Sequence, residues 1–147
     1  MSDIDEKIKE YGYVNFKVVE ENWSEYELSD KTIIKIKIVP LKFFKKDTNV
    51  PVNSTVLMAT FSPPELRGEP SAIPMPTTPA EAEKALKEVD MKFDTLKEPW
   101  NEYELNDIKL SIKTVVTSVS STKLYDTQRD PIYLVSHQIL TKRFPPI

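Results

Sequence analysis

Alternation of apolar and polar positions is the clearest local pattern in this chain. Along Ile33-Ile34-Lys35-Ile36-Lys37-Ile38-Val39, Ile34, Ile36 and Ile38 fall on one side and Lys35 and Lys37 on the other. That period of two is the mark of a half-buried strand. Tyr26 and Leu28 likewise share one face of a strand and Glu25 and Glu27 the other. Val14–Val18 alternates as well, Met91–Leu96 less cleanly, and a further strand is predicted from Leu110 to Val119. Closing strands are predicted near Val52–Phe61 and Ile132–Arg143. Ser29-Asp30-Lys31 and Asn106-Asp107 supply turn chemistry without glycine, and the polar stretches Lys45–Asn49 and Tyr125–Asp130 read as loops. Two segments show helical spacing instead: Ile4, Ile8 and Tyr11 after Ser2, and Ala82, Leu86 and Val89 after Thr78-Pro79-Ala80-Glu81. The second start has an N-cap Thr, Pro at the first helical position and Glu at the third.

These elements recur. Residues 23–30 read Trp-Ser-Glu-Tyr-Glu-Leu-Ser-Asp and residues 100–107 read Trp-Asn-Glu-Tyr-Glu-Leu-Asn-Asp, six identities in eight positions. Ile34–Lys37 then falls on Leu110–Lys113, and Phe16 on Phe93. The expected organisation is a repeat unit at 1–64, a Pro-rich linker at 65–77 and a second unit at 78–147. Each unit would be a helix followed by roughly four strands. The fold class expected is α+β, mainly antiparallel β, a tandem duplication in pseudo-twofold arrangement, either barrel-like or as two packed sheets. Pro63, Pro64, Pro70, Pro74, Pro76 and Pro79 make the joint extended, and the Pro63–Leu66 and Pro76–Pro79 spacings approach a polyproline ligand.

Composition changes the picture mainly by exclusion. The 147 residues include no Cys, one His and two Gly, with 20 Lys+Arg against 23 Asp+Glu. Disulfides, thiolate metal sites, two-His zinc sites, the dinucleotide fingerprint and the P-loop all need more than this. No apolar run approaches a membrane span, and the acidic start Met1–Lys7 has no apolar core of a signal peptide, so a cytoplasmic setting is expected. Two Gln, no Cys and abundant Lys, Glu and Ile fit a heat-adapted, archaeal composition.

Three functional readings follow. The leading one is a non-enzymatic binding or assembly module, with a protein partner or a homo-oligomer favoured over nucleic acid, and no membrane. Its candidate residues are the repeated Trp23, Glu25, Tyr26 and Glu27 with Trp100, Glu102, Tyr103 and Glu104. A working surface is expected in the cleft between the repeats or at an exposed sheet edge. The second is single-stranded nucleic-acid binding along the Lys31–Lys46 face, with Lys35, Lys37, Lys42 and Lys45 tracking phosphates and Phe43 stacking on bases. The third uses the acidic motif, with Glu25, Glu27 and Asp30 mirrored by Glu102, Glu104 and Asp107, as a carboxylate metal site or hydrolase. Against it, the neighbouring Lys35 and Lys37 supply the counter-charge of an ordinary solvated strand face. The lone His137 lies in Val135-Ser136-His137-Gln138 with no nucleophile elbow. No catalytic residue, metal or cofactor is assigned, and the sequence leans away from an enzyme.

Overall fold

The computed structural model describes residues 3–44, 49–72 and 76–145. In chain order the elements are α1 (Asp3–Glu10), β1 (Tyr13–Val14), β2 (Phe16–Glu20), β3 (Ser24–Leu28), β4 (Ile33–Phe44) and β5 (Val52–Phe61). A short 3-10 turn at Pro64–Leu66 precedes α2 (Pro79–Ala85), β6 (Phe93–Lys97), β7 (Asn101–Leu105), β8 (Ile108–Tyr125) and β9 (Pro131–Phe144). The architecture is α+β, mostly antiparallel β, in two sheets. Among the described residues no helix is long and apolar enough to cross a membrane.

Each sheet draws strands from both ends of the chain. One runs β5-β4-β3-β6, with β1 also paired to the far end of β4, and the other runs β2-β7-β8-β9. Thus β2 crosses to pair with β7, and β6 crosses back to pair with β3. The two crossings share one register: Phe16 lies opposite Leu105 and Val18 opposite Tyr103, while Phe93 lies opposite Leu28 and Thr95 opposite Tyr26. Asn15 is where the chain leaves one sheet for the other. Its side chain accepts from the Phe16 N–H at 3.0 Å and donates to Asp5, so the continuous strand expected over Val14–Val18 is broken there.

The long central strands β4 and β8 carry the interior. Tyr26, Leu28, Ile34 and Ile36 pack with Met91, Val116, Val119 and Tyr133 in one cluster. Ile38 and Phe43 pack with Tyr103, Leu105, Leu110 and Ile112 in the other. The register is interrupted between Pro40 and Lys42 in β4, and in β8 between Val116 and Ser118 and again between Ser121 and Tyr125. An extra residue in a period-two pattern exchanges the faces. Ile34, Ile36 and Ile38 are therefore inside, Leu41 is exposed, and Phe43 turns inward with no exposed surface. Pro40, which cannot donate to a ladder, sits at this bulge, where such a residue is tolerated.

The periphery departs further from local expectation. In α1 no residue is buried, and Ile4 and Tyr11 face solvent, so its apolar stripe covers no core among the described residues. In α2 the Thr78 hydroxyl accepts from the Glu81 N–H at 3.1 Å and Pro79 opens the first turn, as the cap signal implies. The helix ends at Ala85, because the segment after it runs along β8: the Lys87 N–H donates to Ser121 and the Met91 N–H to Val119. Val89 is consequently exposed.

The Pro-rich joint is fastened to the molecule where it is described. The Gly68 N–H donates to the Arg129 carbonyl, the Ser71 N–H to the Tyr125 carbonyl, and Ser62 donates to the buried Asp130. Gly68 lies so close to the Tyr125 ring that a Cβ there would stand 2.6 Å from it. Pro64–Leu66 is a 3-10 turn and does not extend as a polyproline ligand.

Candidate functional site

The repeated motif occupies equivalent strands, β3 and β7, with the same facing. Tyr26 and Leu28 are buried in one, Tyr103 and Leu105 in the other, and the glutamates between them point outward. Each buried phenol reaches a carboxylate from the opposite end of the chain. The Tyr26 hydroxyl donates to Glu98 at 2.6 Å and accepts from the Val116 N–H at 3.2 Å. The Tyr103 hydroxyl donates to Glu21 at 3.0 Å. Glu21 also takes Lys37 at 2.9 Å, and Glu98 takes Lys113 at 3.6 Å. Lys37 lies over the Trp23 ring, and Trp100 sits under both Lys113 and Lys142, 4.9 and 4.4 Å from the ring centre. Each half-buried tryptophan thus closes a Tyr–Glu–Lys relay, and Trp23 and Trp100 do not stack on one another.

Burial and then the adjoining Glu98 push the Tyr26 phenol up to about 12. Burial pushes Tyr103 and Tyr133 higher still, helped by Glu21 and Asp30 respectively. Their protonated forms are the ones the fold holds. A phenol with a raised folded pKa stabilises the fold below its unfolded value near 10 and loses that contribution as pH rises beyond it. Stability is therefore expected to fall above about pH 10, with Tyr26, Tyr103 and Tyr133 staying protonated until the chain opens. Absorbance at 295 nm followed beside circular dichroism checks this: phenolate signal from three tyrosines should appear with loss of ellipticity. Its complete appearance on a still-folded chain would contradict it.

The other sequence-predicted groups are dispersed among separate partners. Glu25 pairs with Lys35 at 3.3 Å, a partly exposed contact worth about 0–1 kcal/mol. Glu27 lies opposite Asp94 across the strand pair. Asp30 accepts from the Tyr133 hydroxyl at 2.6 Å and from the Thr32 N–H at 3.0 Å, which makes it a buried-network acceptor. Among the described residues no three metal-ligating side chains converge. Glu102 and Glu104 are exposed, and with Tyr103 they border a shallow groove of about 350 Å³ that Lys109, Lys142 and Phe144 also line.

On the lysine face, Lys35 and Lys37 are held by Glu25 and Glu21, and Lys42 lies 4.9 Å over the Tyr13 ring. Phe43, expected beside them as a stacking ring, instead packs edge-on against Phe16 in the core, because of the bulge before it. Lys45 lies outside the described residues. His137 is exposed on β9. Sequence reasoning passed over Glu21 and Glu98, although each stands two residues before its tryptophan, a signal that extends the repeat upstream.

The least satisfied surface is at the sheet edges. Only β4 pairs with β5, and only β8 with β9, among the described residues. These are long edges, of 10 and 14 residues. Both faces of each expose large apolar side chains: Leu57, Met58 and Phe61 on β5, and Ile139, Leu140 and Phe144 on β9. Of the remaining edges, β1 has only two residues, and β2 and β6 have five each and carry Lys17, Glu20, Asp94 and Lys97. Short charged edges resist strand addition, whereas long apolar ones invite it.

Compared with protein-family models, curated proteins and solved structures, the chain matches none.

Proposed function

We propose that this chain is a non-enzymatic binding and assembly module, built from two homologous β-rich repeats that have exchanged a strand. Its working surface is the pair of open edges on β5 and β9, and its partner is a protein segment in extended conformation. The observation that carries the reading is the length of those two edges and the large apolar side chains both expose, beside the short β2 and β6 with two charges in five residues. Backbone N–H and C=O groups along an open edge offer affinity to any strand, and side-chain positions on alternating faces offer selection. Lys35, Lys37 and Lys42, by contrast, are already engaged by Glu25, Glu21 and Tyr13. The duplication is supported by the shared motif and by the common register of the two crossings.

A labelled peptide with the sequence of residues 131–144 is the direct probe, since it is a strand this protein already accommodates. Saturable binding by fluorescence anisotropy is expected. It should be abolished when Pro replaces Ile139 in the peptide, because Pro removes a ladder donor and fixes φ. It should change little with salt, because no phosphate-like charge is being tracked. Equal binding by the Pro peptide, or none by either, would overturn the reading.

A further inference from the structure

We infer that β5 is a self-association edge: two copies of this chain pair Asn53–Phe61 antiparallel across a two-fold axis at Leu57. This rests on the strand-addition reading and names its partner as a second copy. The charge pattern singles out β5. Among the described edge strands of five residues or more, β2, β6 and β9 each carry at least two charged residues, and β5 carries none. A contact across a two-fold axis must be complementary to itself. A charged strand meets its own charges there, whereas β5 meets only Val, Asn, Ser, Thr, Leu, Met, Ala and Phe.

The alternation of side chains fixes the register. A two-fold axis normal to the sheet keeps inner faces inner, so residues facing Ile34, Ile36 and Ile38 of β4 must meet their own kind. Those residues are Thr60, Met58 and Val56. With the axis at Leu57, Val56 lies opposite Met58 of the second copy and Ser54 opposite Thr60, so apolar meets apolar and polar meets polar. On the outer face Leu57 meets Leu57 and Thr55 meets Ala59, and the one unlike pair, Asn53 with Phe61, falls at the ends of the ladder. Moving the axis to Val56 would set Ser54 against Met58 and Thr55 against Leu57, a poorer match. The nine paired residues at about 3.3 Å each give an edge about 30 Å long. Pairing along it would also cover Leu57 and Met58, now 46% and 44% exposed. An interface of this length suits a reversible dimer at the small end of specific contacts.

Sedimentation equilibrium of the full chain is expected to show a concentration-dependent dimer. Leu57→Lys and Leu57→Glu should each weaken it at least about tenfold, because like charges would face each other at the axis. Mixing the two variants should restore it. The side chain is outward and half exposed, so both variants should melt near the parent temperature. The chain has no cysteine, so Leu57→Cys should form a covalent dimer on oxidation while Thr55→Cys, displaced from the axis, should not. A chain monomeric at every concentration, a dimer indifferent to Leu57→Lys, or crosslinking favoured by Thr55→Cys would overturn the inference. If the chain stays monomeric yet captures the 131–144 peptide, self-pairing fails and strand addition stands. If it does neither, both fail.

Discussion

Tyr103→Ala is expected to lower stability by about 3–5 kcal/mol, the scale for removing a large aromatic from a packed core. The side chain is fully buried, its ring lies 6.0 Å from both Phe16 and Phe43, and its hydroxyl holds Glu21. One truncation therefore opens a cavity among residues from β2, β4 and β7. It also leaves a carboxylate that is only partly compensated by Lys37. Tyr103→Phe keeps the ring and should cost less, about 1–3 kcal/mol, which separates packing from the hydrogen bond. Chemical denaturation of both variants measures the difference. An alanine variant within about 1 kcal/mol of the parent would mean that Tyr103 is not a joint between the two sheets.

A larger effect is expected from cutting the chain within its Pro-rich joint. Residues 1–64 contain β3 and β4 but lack the β6 that flanks β3, and residues 78–147 contain β7 and β8 but lack β2. Separated, each piece also loses the opposite half of both core clusters. Neither should fold as a monomer, a loss of the whole stability, on the order of 5–15 kcal/mol. Mixing the pieces should restore a cooperative melt and a one-to-one complex. Either piece melting cooperatively as a dilute monomer would show that strand exchange is dispensable.

What could be read from sequence follows from how far each signal reaches. Period-two alternation reports which side chains share a face: it set Ile34, Ile36 and Ile38 inward and Tyr26 beside Leu28, but it did not say that Tyr26 and Tyr103, offered as binding residues, lie buried. Cap chemistry is local too, and Thr78 marked the start of α2. Alternation does not report which strand lies alongside. Phe16 and Phe93 take the same register against Leu105 and Leu28, so nothing local says that each crosses to the other sheet. Phase is also lost across a bulge, which is why Phe43 read as a surface ring and lies in the core.

The motif itself was visible as a repeat, but its partners were not. Glu21, Glu98 and Lys142 come from distant positions, and their roles depend on strand pairing that composition cannot express. The edges could be found as strands near Val52–Phe61 and Ile132–Arg143. That nothing among the described residues pairs with their outer sides is a property of topology alone.

Amide hydrogen exchange of the full chain, compared between dilute and concentrated solution, tests the central claim most directly. Strand addition predicts that exchange slows with concentration at alternate amides of Asn53–Phe61, those pointing away from β4, while amides paired to β4 change little. Adding the 131–144 peptide to the dilute chain should slow open-edge amides on β5 or β9 in the same alternate pattern. Edge amides that stay equally fast in both experiments, or slowing confined to another surface, would contradict the account.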